Sequence, residues 1–176
     1  MILVDLNQVL LAGLMAQISN DKKMKLEEGL IRHLSLNILR THIKNFKGQY
    51  GEIVLACDNR KYWRKEFFPY YKAGRKKARE KTDLDWHLIF QILGDIKKEL
   101  KEYFPYRVLD VNGAEADDII GTLVSKFGAD LNIGEKILIL SGDKDFIQLH
   151  KYSNVKQYDP TRKKWISHTN PDMFLK

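Results

Sequence analysis

Short apolar runs, each followed by an acidic residue, are the feature that most constrains how this chain can fold. The runs are residues 2–4, 52–57 and 136–140, and they lead to Asp5, Asp58 and Asp143. Runs of this length, rich in Ile, Leu and Val, are typical of buried β-strands. Long helical patterns lie between them. The order strand, helix, strand predicts parallel pairing through crossover connections.

The remaining segments complete an α/β pattern. Apolar residues recur at helical spacing over 25–48, and a second long helix over 82–104 is expected to be capped by Thr82 or Asp83. Further strands are predicted over 106–111, 155–158 and 164–166, and further helices over 6–18, 115–127 and 144–150. We therefore predict one domain, residues 1–176, with a central, mostly parallel β-sheet flanked by helices.

Composition excludes several classes of protein. The chain has 176 residues, 44% of them hydrophobic, which is enough for a real core and argues against fibrous or disordered classes. Asp5, Asn7 and Gln8 interrupt the apolar N-terminus and no basic segment precedes it, so neither a secretory signal nor a membrane span is expected. The single cysteine, Cys57, cannot form an internal disulfide, which indicates a reducing compartment and a cytoplasmic location.

Acidic residues are concentrated where the predicted strands end. The densest cluster lies in residues 112–121, where three carboxylates fall within four positions. Because the carboxyl ends of parallel strands meet at one edge of a sheet, these acids are expected to lie together there. A strand-end aspartate often only caps the next helix, but one residue suffices for each cap and the surplus acids need cations. This acidic rim consists of Asp5, Asp58, Glu115, Asp117, Asp118, Asp143 and Asp145.

The chemistry of the acidic rim points to divalent cations. Carboxylate oxygens, without a cluster of cysteines and histidines, suit Mg²⁺ or Mn²⁺ rather than Zn²⁺. Two such ions roughly 4 Å apart can position and activate water and then stabilise the leaving oxygen of a phosphodiester. The pattern therefore indicates metal-assisted hydrolysis without a covalent protein intermediate.

Residues 60–81, the basic segment, carry most of the positive charge. They contain ten Lys or Arg against two acids, a net +8, so that the rest of a chain of net charge +7 carries −1. Six of the chain's nineteen aromatic residues also lie here, a combination that holds single-stranded nucleic acid without reading its sequence. The alternative is an ordinary solvated helix whose aromatic residues pack into the core, with Trp63, Phe67 and Tyr70 at helical spacing. The residues expected to bind nucleic acid are Arg60, Lys61, Arg64, Lys65, Tyr71, Lys72, Arg75, Lys76, Lys77 and Arg79.

Five short motifs occur in the order typical of the flap-endonuclease and 5′–3′ exonuclease family, across nearly the whole chain. They are strand-end Asp5, Cys57-Asp58-Asn59, Tyr70-Tyr71-Lys72-Ala73-Gly74-Arg75, Glu115-Ala116-Asp117-Asp118, and Ser141-Gly142-Asp143-Lys144-Asp145. The chain resembles that family, and the resemblance implies a PIN-like α/β fold. It also implies that the basic segment forms an arch or clamp that grips a single-stranded 5′ end.

The resemblance further implies roles for the acidic rim. Asp5, Asp58, Asp117 and Asp143 are expected around one metal ion, with Glu115, Asp118 and Asp145 toward a second, and Lys72 and Arg75 are expected to steady the scissile phosphate. Family members continue with a Gly-Asp-x-x-Asp-Asn segment carrying two more metal-binding aspartates, and then with a helical element that grips duplex DNA. This sequence ends at Lys176 without either of them. We expect a fragment of a longer nuclease; the alternative is a short relative with an incomplete second metal site, and in either case the first metal site can form. Asp159 and Asp172 lie outside the expected motif and are assigned no metal role.

Three functional hypotheses follow. The first is a Mg²⁺-dependent nuclease acting from the 5′ ends of RNA–DNA hybrids, duplex DNA and flaps, as in RNA primer removal during replication, with single-strand-binding protein or a clamp as possible partners. The second is a PIN-type endoribonuclease, which shares the acidic rim but usually lacks so large a basic insertion. The third is a nucleic-acid-binding module with little catalysis. Comparing cleavage of a 5′-labelled hybrid with that of a folded RNA would separate the first two hypotheses. A Mg²⁺ titration in a cleavage assay would identify the third.

Overall fold

The sheet has the predicted parallel architecture. In the computed structural model, which describes residues 1–20, 25–128 and 135–168, six strands form one sheet in the order β3-β2-β1-β4-β5-β6. The first five strands pair in parallel and β6 is antiparallel to β5. The strands are β1 (Ile2–Asp5), β2 (Ile53–Cys57), β3 (Arg107–Asp110), β4 (Ile137–Leu140), β5 (Val155–Asp159) and β6 (Lys164–Ile166).

Helices cover both faces of the sheet. They are α1 (Leu6–Asn20), α2 (Glu28–Tyr50), α3 (Arg64–Phe67), α4 (Gly74–Arg79), α5 (Trp86–Tyr103), α6 (Ala116–Gly128) and a 3-10 helix (Lys144–Lys151). Successive side chains of a strand point to opposite faces, so Ile2 and Val4 pack in one core with α1, α2 and α5. Leu3 packs in the other core with α6 and the 3-10 helix. The expected α/β fold with flanking helices is confirmed.

Helix α5 shows why its segment is helical and where the sequence-based boundary was wrong. Ile89, Ile92, Ile96 and Leu100 recur every three or four residues and are all buried, so they form one apolar stripe facing the sheet. The cap is Asp85, whose side chain accepts a hydrogen bond from the Leu88 backbone N–H at 2.9 Å. The prediction of Thr82 or Asp83 as the cap is therefore incorrect.

Other boundaries differ from the predictions by a few residues. Helix α2 begins at Glu28 rather than at residue 25, and it runs to Tyr50. Gly51 ends it with φ 79°, and its N–H donates to the Lys47 carbonyl at 2.8 Å. The segment after β4 forms a 3-10 helix, whose bonding is tighter than that of the α-helix expected there. Asp172, which is assigned no metal role, lies outside the described residues.

The basic segment is folded and lies next to the acidic rim. It consists of the short helices α3 and α4 joined by turns, and none of the residues in these two described helices is buried. Tyr62 pairs with Gly113 in an isolated bridge, and Gly113 takes φ 82°, a conformation that glycine adopts easily. This bridge fixes the start of the segment beside the loop before α6.

The aromatic residues of the basic segment do not pack into the core. Trp63, Phe67 and Tyr70 are exposed, Phe67 to 81%, so the expectation that they pack inside is wrong. They contact other rings of the same segment, as Trp63 does with Phe67 at a centroid distance of 6.0 Å. The physical reason is that α3 is only four residues long, and none of its residues is buried. Among the helices of the described ranges, none combines the length and apolarity that spanning a bilayer requires.

Candidate active site at the carboxyl ends of the strands

Two aspartates of the acidic rim are placed directly by β1 and β2. Asp5 is the last residue of β1, and it is buried beneath the loop that follows β4. Its carboxylate accepts hydrogen bonds from the Gln8 backbone N–H at 3.2 Å and from the Ser141 hydroxyl at 3.3 Å. Because β1 lies between β2 and β4, Asp5 is at the centre of the rim.

Asp58 joins the end of β2 to the start of α6. One carboxylate oxygen accepts from the Ala116 backbone N–H at 2.8 Å, and the other accepts from the Asn7 side-chain amide at 3.1 Å. An acid at a helix N-terminus is stabilised by the unpaired N–H groups and the dipole there. This contact holds the first turn of α6, and with it Asp117, against the rim.

Negative charge is left uncompensated between Asp5 and Asp117. Burial raises the pKa of Asp5 to about 7, and repulsion from Asp117 and Asp58 adds to it, while the hydrogen bond from Gln8 opposes it. Burial likewise raises the pKa of Asp117 to about 6, with further repulsion from Asp143 and Asp58 and partial relief from Lys72. Carboxylates in this state favour any cation that reaches them.

Glu115 and Asp118 are in the opposite electrostatic condition. Glu115 is only 1% exposed, and its two oxygens contact the Arg64 guanidinium at 2.9 Å and the Lys72 ammonium at 2.7 Å. The same Arg64 nitrogen contacts Asp118 at 2.8 Å. Burial acts to raise the pKa of Asp118, but the hydrogen bond from Arg64 and that from the Glu115 backbone N–H outweigh it, so this pKa is lowered.

Lys72 reaches Glu115 from an unusual backbone conformation. Its φ is 58°, in the left-handed region that residues other than glycine rarely adopt. Burial acts to lower the pKa of its ammonium, but the hydrogen bond to Glu115 outweighs this and the pKa is raised. The ion pair thus keeps Lys72 charged at the rim and helps to hold the chain in this conformation.

Asp143 and Asp145 lie on the loop after β4. Asp143 caps the 3-10 helix by accepting from the Asp145 backbone N–H at 3.0 Å, and its own N–H donates to the Ser141 hydroxyl at 3.1 Å. The side chain of Asp145 is exposed. Asp143 is near enough to Asp117 to raise the pKa of that residue, whereas the side chain of Asp145 is open to solvent.

A buried glutamine that sequence reasoning missed supports this loop. Gln157 in β5 donates from its side-chain amide to the carbonyls of Ser141 at 2.9 Å and Asp143 at 2.6 Å. Its side-chain oxygen lies 3.0 Å from His150 Nε2, and burial lowers the pKa of that imidazole, which favours the neutral ring. The available signal was the alternation of β5, in which residues 155, 157 and 159 are buried and a polar residue occupies the middle position.

The donor set suits a divalent cation in chemistry and charge, although the carboxylates are not drawn together into a closed cage. Within residues 1–20, 25–128 and 135–168, no three acids, histidines or cysteines lie close enough together to hold an ion as they stand. Four acids that form no ion pair within the described residues offer only oxygen ligands, as Mg²⁺ and Mn²⁺ prefer: Asp5, Asp58, Asp117 and Asp143. Glu115 and Asp118 already have cationic partners, so the second predicted ion would compete with Arg64.

Cysteine chemistry is excluded at this site. Burial raises the pKa of Cys57 to about 12, so this thiol stays protonated near neutral pH. A thiol in that state is a poor nucleophile. Cys57 is therefore not a candidate nucleophile.

The predicted nucleic-acid-binding residues separate into three groups. Arg64 and Lys72 contact the acidic rim, and Tyr71 lies beside them, with the Lys72 ammonium 5.0 Å from its ring centroid. Lys65 lies over the Tyr62 ring at 4.6 Å and Arg79 over the Phe90 ring at 4.7 Å. The other residues of the set are exposed on the segment's surface: Arg60, Lys61, Arg75, Lys76 and Lys77.

Comparison with known proteins identifies the family. The family described as 5′–3′ exonuclease, N-terminal resolvase-like domain, matches residues 1–175, and the chain belongs to this family. It is 44% identical over 167 residues to ribonuclease H of Enterobacteria phage T4, covering 93% of this chain and 53% of the relative. It is also 39% identical over 97 residues to flap endonuclease Xni of Shewanella pealeana, covering 55% of this chain and 33% of that protein. The chain thus spans about half the length of the T4 relative.

Solved structures confirm the fold. The bacteriophage T5 5′-exonuclease with bound zinc superposes with a TM-score of 0.68 over 99% of this chain and 59% of that chain, at 17% identity. A T5 flap endonuclease solved with DNA and metal ions gives a TM-score of 0.66 over 94% of this chain and 57% of that chain, at 18% identity. At such identities the likeness establishes the PIN-like architecture, and the metal and DNA belong to those proteins.

Proposed function

We propose that this protein is a Mg²⁺- or Mn²⁺-dependent nuclease that hydrolyses phosphodiesters from the 5′ ends of RNA–DNA hybrids, duplex DNA and flaps. One observation carries the proposal. A rim of carboxylates with uncompensated charge lies at the ends of parallel strands, and cations of the basic segment reach into the same rim, with Lys72 2.7 Å from Glu115. Such a site attracts both a divalent cation and a phosphate.

Asp5, Asp58, Asp117 and Asp143 would hold the first ion. A divalent cation bound there supplies a Lewis acid that lowers the pKa of water and stabilises charge on the phosphate oxygens. The residues around these acids fix their positions: Gln8 and Ser141 hold Asp5, the start of α6 holds Asp58, and Gln157 holds the Asp143 loop. We assign Glu115, Asp118 and Asp145 to a second ion, as the family resemblance implies.

Lys72 and Arg75 are proposed to steady the scissile phosphate. Lys72 is already at the rim, and a phosphate arriving there would compete with Glu115 for its ammonium. Arg75, three residues further along and exposed, can turn toward the same phosphate. Both would stabilise charge that develops on the phosphoryl oxygens.

The relatives support a role in replication. The T4 relative is named a ribonuclease H, the Shewanella relative a flap endonuclease, and the family a 5′–3′ exonuclease domain. We therefore propose RNA primer removal as the task, in the cytoplasm, with single-strand-binding protein or a clamp as partners. These names favour this function over the PIN-type endoribonuclease.

One observation favours a second candidate, a nucleic-acid-binding module with weak catalysis. Arg64 neutralises Glu115 and Asp118 together, so the acids assigned to the second ion are engaged with protein cations. A Mg²⁺ and Mn²⁺ titration of cleavage separates the two candidates. Saturable, metal-dependent cleavage supports the nuclease, and binding without cleavage at any metal concentration supports the module.

The decisive test replaces Asp143 with Asn. We expect Asp143→Asn to abolish Mg²⁺-dependent cleavage of a 5′-labelled RNA–DNA hybrid, while binding of the same hybrid in EDTA is retained. The matched control is Asp95→Asn, which removes a carboxylate of α5 that pairs with Lys98 far from the rim along the chain. Full activity of Asp143→Asn would refute the metal mechanism. Cleavage of a folded RNA in preference to the hybrid would instead support the endoribonuclease.

A further inference from the structure

A cleft between α4 and the start of α5 is not used by the proposed chemistry. Its volume is about 570 Å³, within the roughly 300–1,000 Å³ typical of small-ligand sites. The residues that line it and carry the argument are Arg60, Lys76, Arg79, Glu80, Trp86 and Phe90. The cleft therefore combines aromatic rings with positive charge.

Trp86 and Phe90 form the aromatic wall of the cleft. They are one turn apart on α5, so they lie on the same side of the helix, with ring centroids 5.8 Å apart and planes 29° apart. The Trp86 indole N–H donates to the Thr82 hydroxyl at 2.7 Å, which fixes the orientation of the indole. Phe90 is 40% exposed, an unusual position for a ring on a helix whose other face builds the core.

The charge of the cleft selects an anionic ligand. The Arg79 guanidinium lies 4.7 Å from the Phe90 ring centroid and 5.8 Å from that of Trp86. Among the ion pairs of the described residues, none neutralises Arg79, Arg60 or Lys76. Glu80 is the one acid among the lining residues. A ligand that combines an aromatic ring with an anionic group matches this surface.

We propose that the cleft binds one unpaired nucleotide of a nucleic-acid strand. Its base would stack on Phe90 and Trp86 in place of the Arg79 guanidinium, which lies over the Phe90 ring, and its phosphate would contact Arg60 or Lys76. The proposal rests on the proposed function, since it supplies a place for the single-stranded part of that substrate. Arg60 follows Asp58 by two residues, so their Cα atoms are at most about 7 Å apart. A strand held at the acidic rim can therefore place a neighbouring unpaired nucleotide in the cleft.

The test measures binding without cleavage. A fluorescently labelled ten-nucleotide thymidine strand is titrated with the chain in EDTA and followed by anisotropy. We expect Phe90→Ala to weaken binding by about five- to tenfold, because one base loses its stacking partner, and Phe90→Trp to retain binding. Tyr103→Ala is the matched control, since Tyr103 is a 72% exposed ring at the far end of the same helix. Circular dichroism melting checks that each variant is folded.

A second measurement asks whether a base, rather than a phosphate, is recognised. A series of the same strand carries one abasic position at successive sites. In the unmodified chain one abasic position should weaken binding about as much as Phe90→Ala does, and in Phe90→Ala the same position should have no further effect. Equal affinities of Phe90→Ala and the unmodified chain, or equal losses at every abasic position in both, would overturn the proposal.

The cleft can also be distinguished from a peptide site and from the catalytic rim. If a random Glu–Tyr copolymer binds the unmodified chain in a Phe90-dependent way while the strand does not, the cleft is a peptide site and the proposal is wrong. A chain that never cleaves but binds the strand through Phe90 would refute the nuclease and leave the cleft standing. A chain that cleaves with Mg²⁺ while Phe90→Ala binds normally would refute the cleft alone.

Discussion

Asp5 offers the most direct test of the idea that part of the acidic rim carries uncompensated negative charge. Replacing it with Asn removes one charge and keeps the shape. The Asn oxygen can still accept from the Gln8 N–H, and its amide can donate to the Ser141 hydroxyl. The substitution therefore changes mainly the electrostatic free energy of the folded state.

The expected magnitude follows from the pKa of Asp5, which is raised from its ordinary 3.8 to about 7. Between these values the folded protein holds a proton that the unfolded chain has released, so stability falls as pH rises. Each pH unit lowers the free energy of unfolding by about 1.4 kcal/mol. The loss in free energy of unfolding is complete above pH 7. It reaches about 4 kcal/mol as an upper limit, because relaxation of the site reduces it. We expect Asp5→Asn to be more stable than the unmodified chain by about 2–4 kcal/mol at pH 8 in EDTA.

Urea unfolding at pH 5, 6, 7 and 8, followed by tryptophan fluorescence, measures this difference. It should be largest at pH 8 and shrink toward pH 5. Asp83→Asn, which removes an exposed acid before α5, should change stability by less than about 0.5 kcal/mol at every pH. Adding Mg²⁺ should stabilise the unmodified chain more than Asp5→Asn and so narrow the gap. Equal stability of the two proteins at pH 8 in EDTA would refute the argument that charge at Asp5 is uncompensated.

Two further predictions concern the surroundings of the rim, and a third concerns the end of α2. Arg64→Met should lower the free energy of unfolding by about 1–3 kcal/mol, because it leaves a buried carboxylate with one partner fewer. It should also tighten Mg²⁺ binding, as measured by calorimetry; weaker Mg²⁺ binding would contradict the competition between Arg64 and the ion. Gln157→Leu should lower the free energy of unfolding by about 1–3 kcal/mol and slow turnover more than it changes KM, since two buried carbonyls lose their donor. The control Gln148→Leu, which removes one exposed hydrogen bond, should change neither stability nor turnover. Gly51→Ala should destabilise the protein by about 1 kcal/mol because of the positive φ at this position. Gly48→Ala, inside α2 with open space around it, should stabilise it by about 0.5 kcal/mol. Thermal melts in which both variants shift the melting temperature in the same direction would refute this.

Much of the architecture could be predicted because it depends on local pattern. The apolar runs that end near Asp5, Asp58 and Asp143 are strands β1, β2 and β4, and their parallel order follows from the long helices between them. Handed crossovers and a sheet buried on both faces leave few alternatives. For this reason the common edge of these acids follows from topology, without any knowledge of side-chain contacts.

The contacts that were missed depend on long-range geometry. Asp85 caps α5 rather than Thr82 or Asp83, because the turn before the helix points the Thr82 hydroxyl at the Trp86 indole instead. Gln157 supports the Asp143 loop from a different strand, 14 residues away along the chain. Spacing in the sequence cannot show which of several polar residues of a loop reaches a backbone group, since that depends on how neighbouring elements pack.

The pairing of Arg64 with Glu115 changes how the basic segment is understood. Sequence reasoning placed the positive charge over a substrate and the negative charge around metal ions, as two separate systems. The structure joins them, because Arg64 and Lys72 neutralise a carboxylate that is 1% exposed. A buried carboxylate is costly to leave without a partner, so neither cation can leave Glu115 unless another positive charge takes its place. Metal binding at the rim and release of Lys72 toward a phosphate are therefore expected to be linked, and each should strengthen the other.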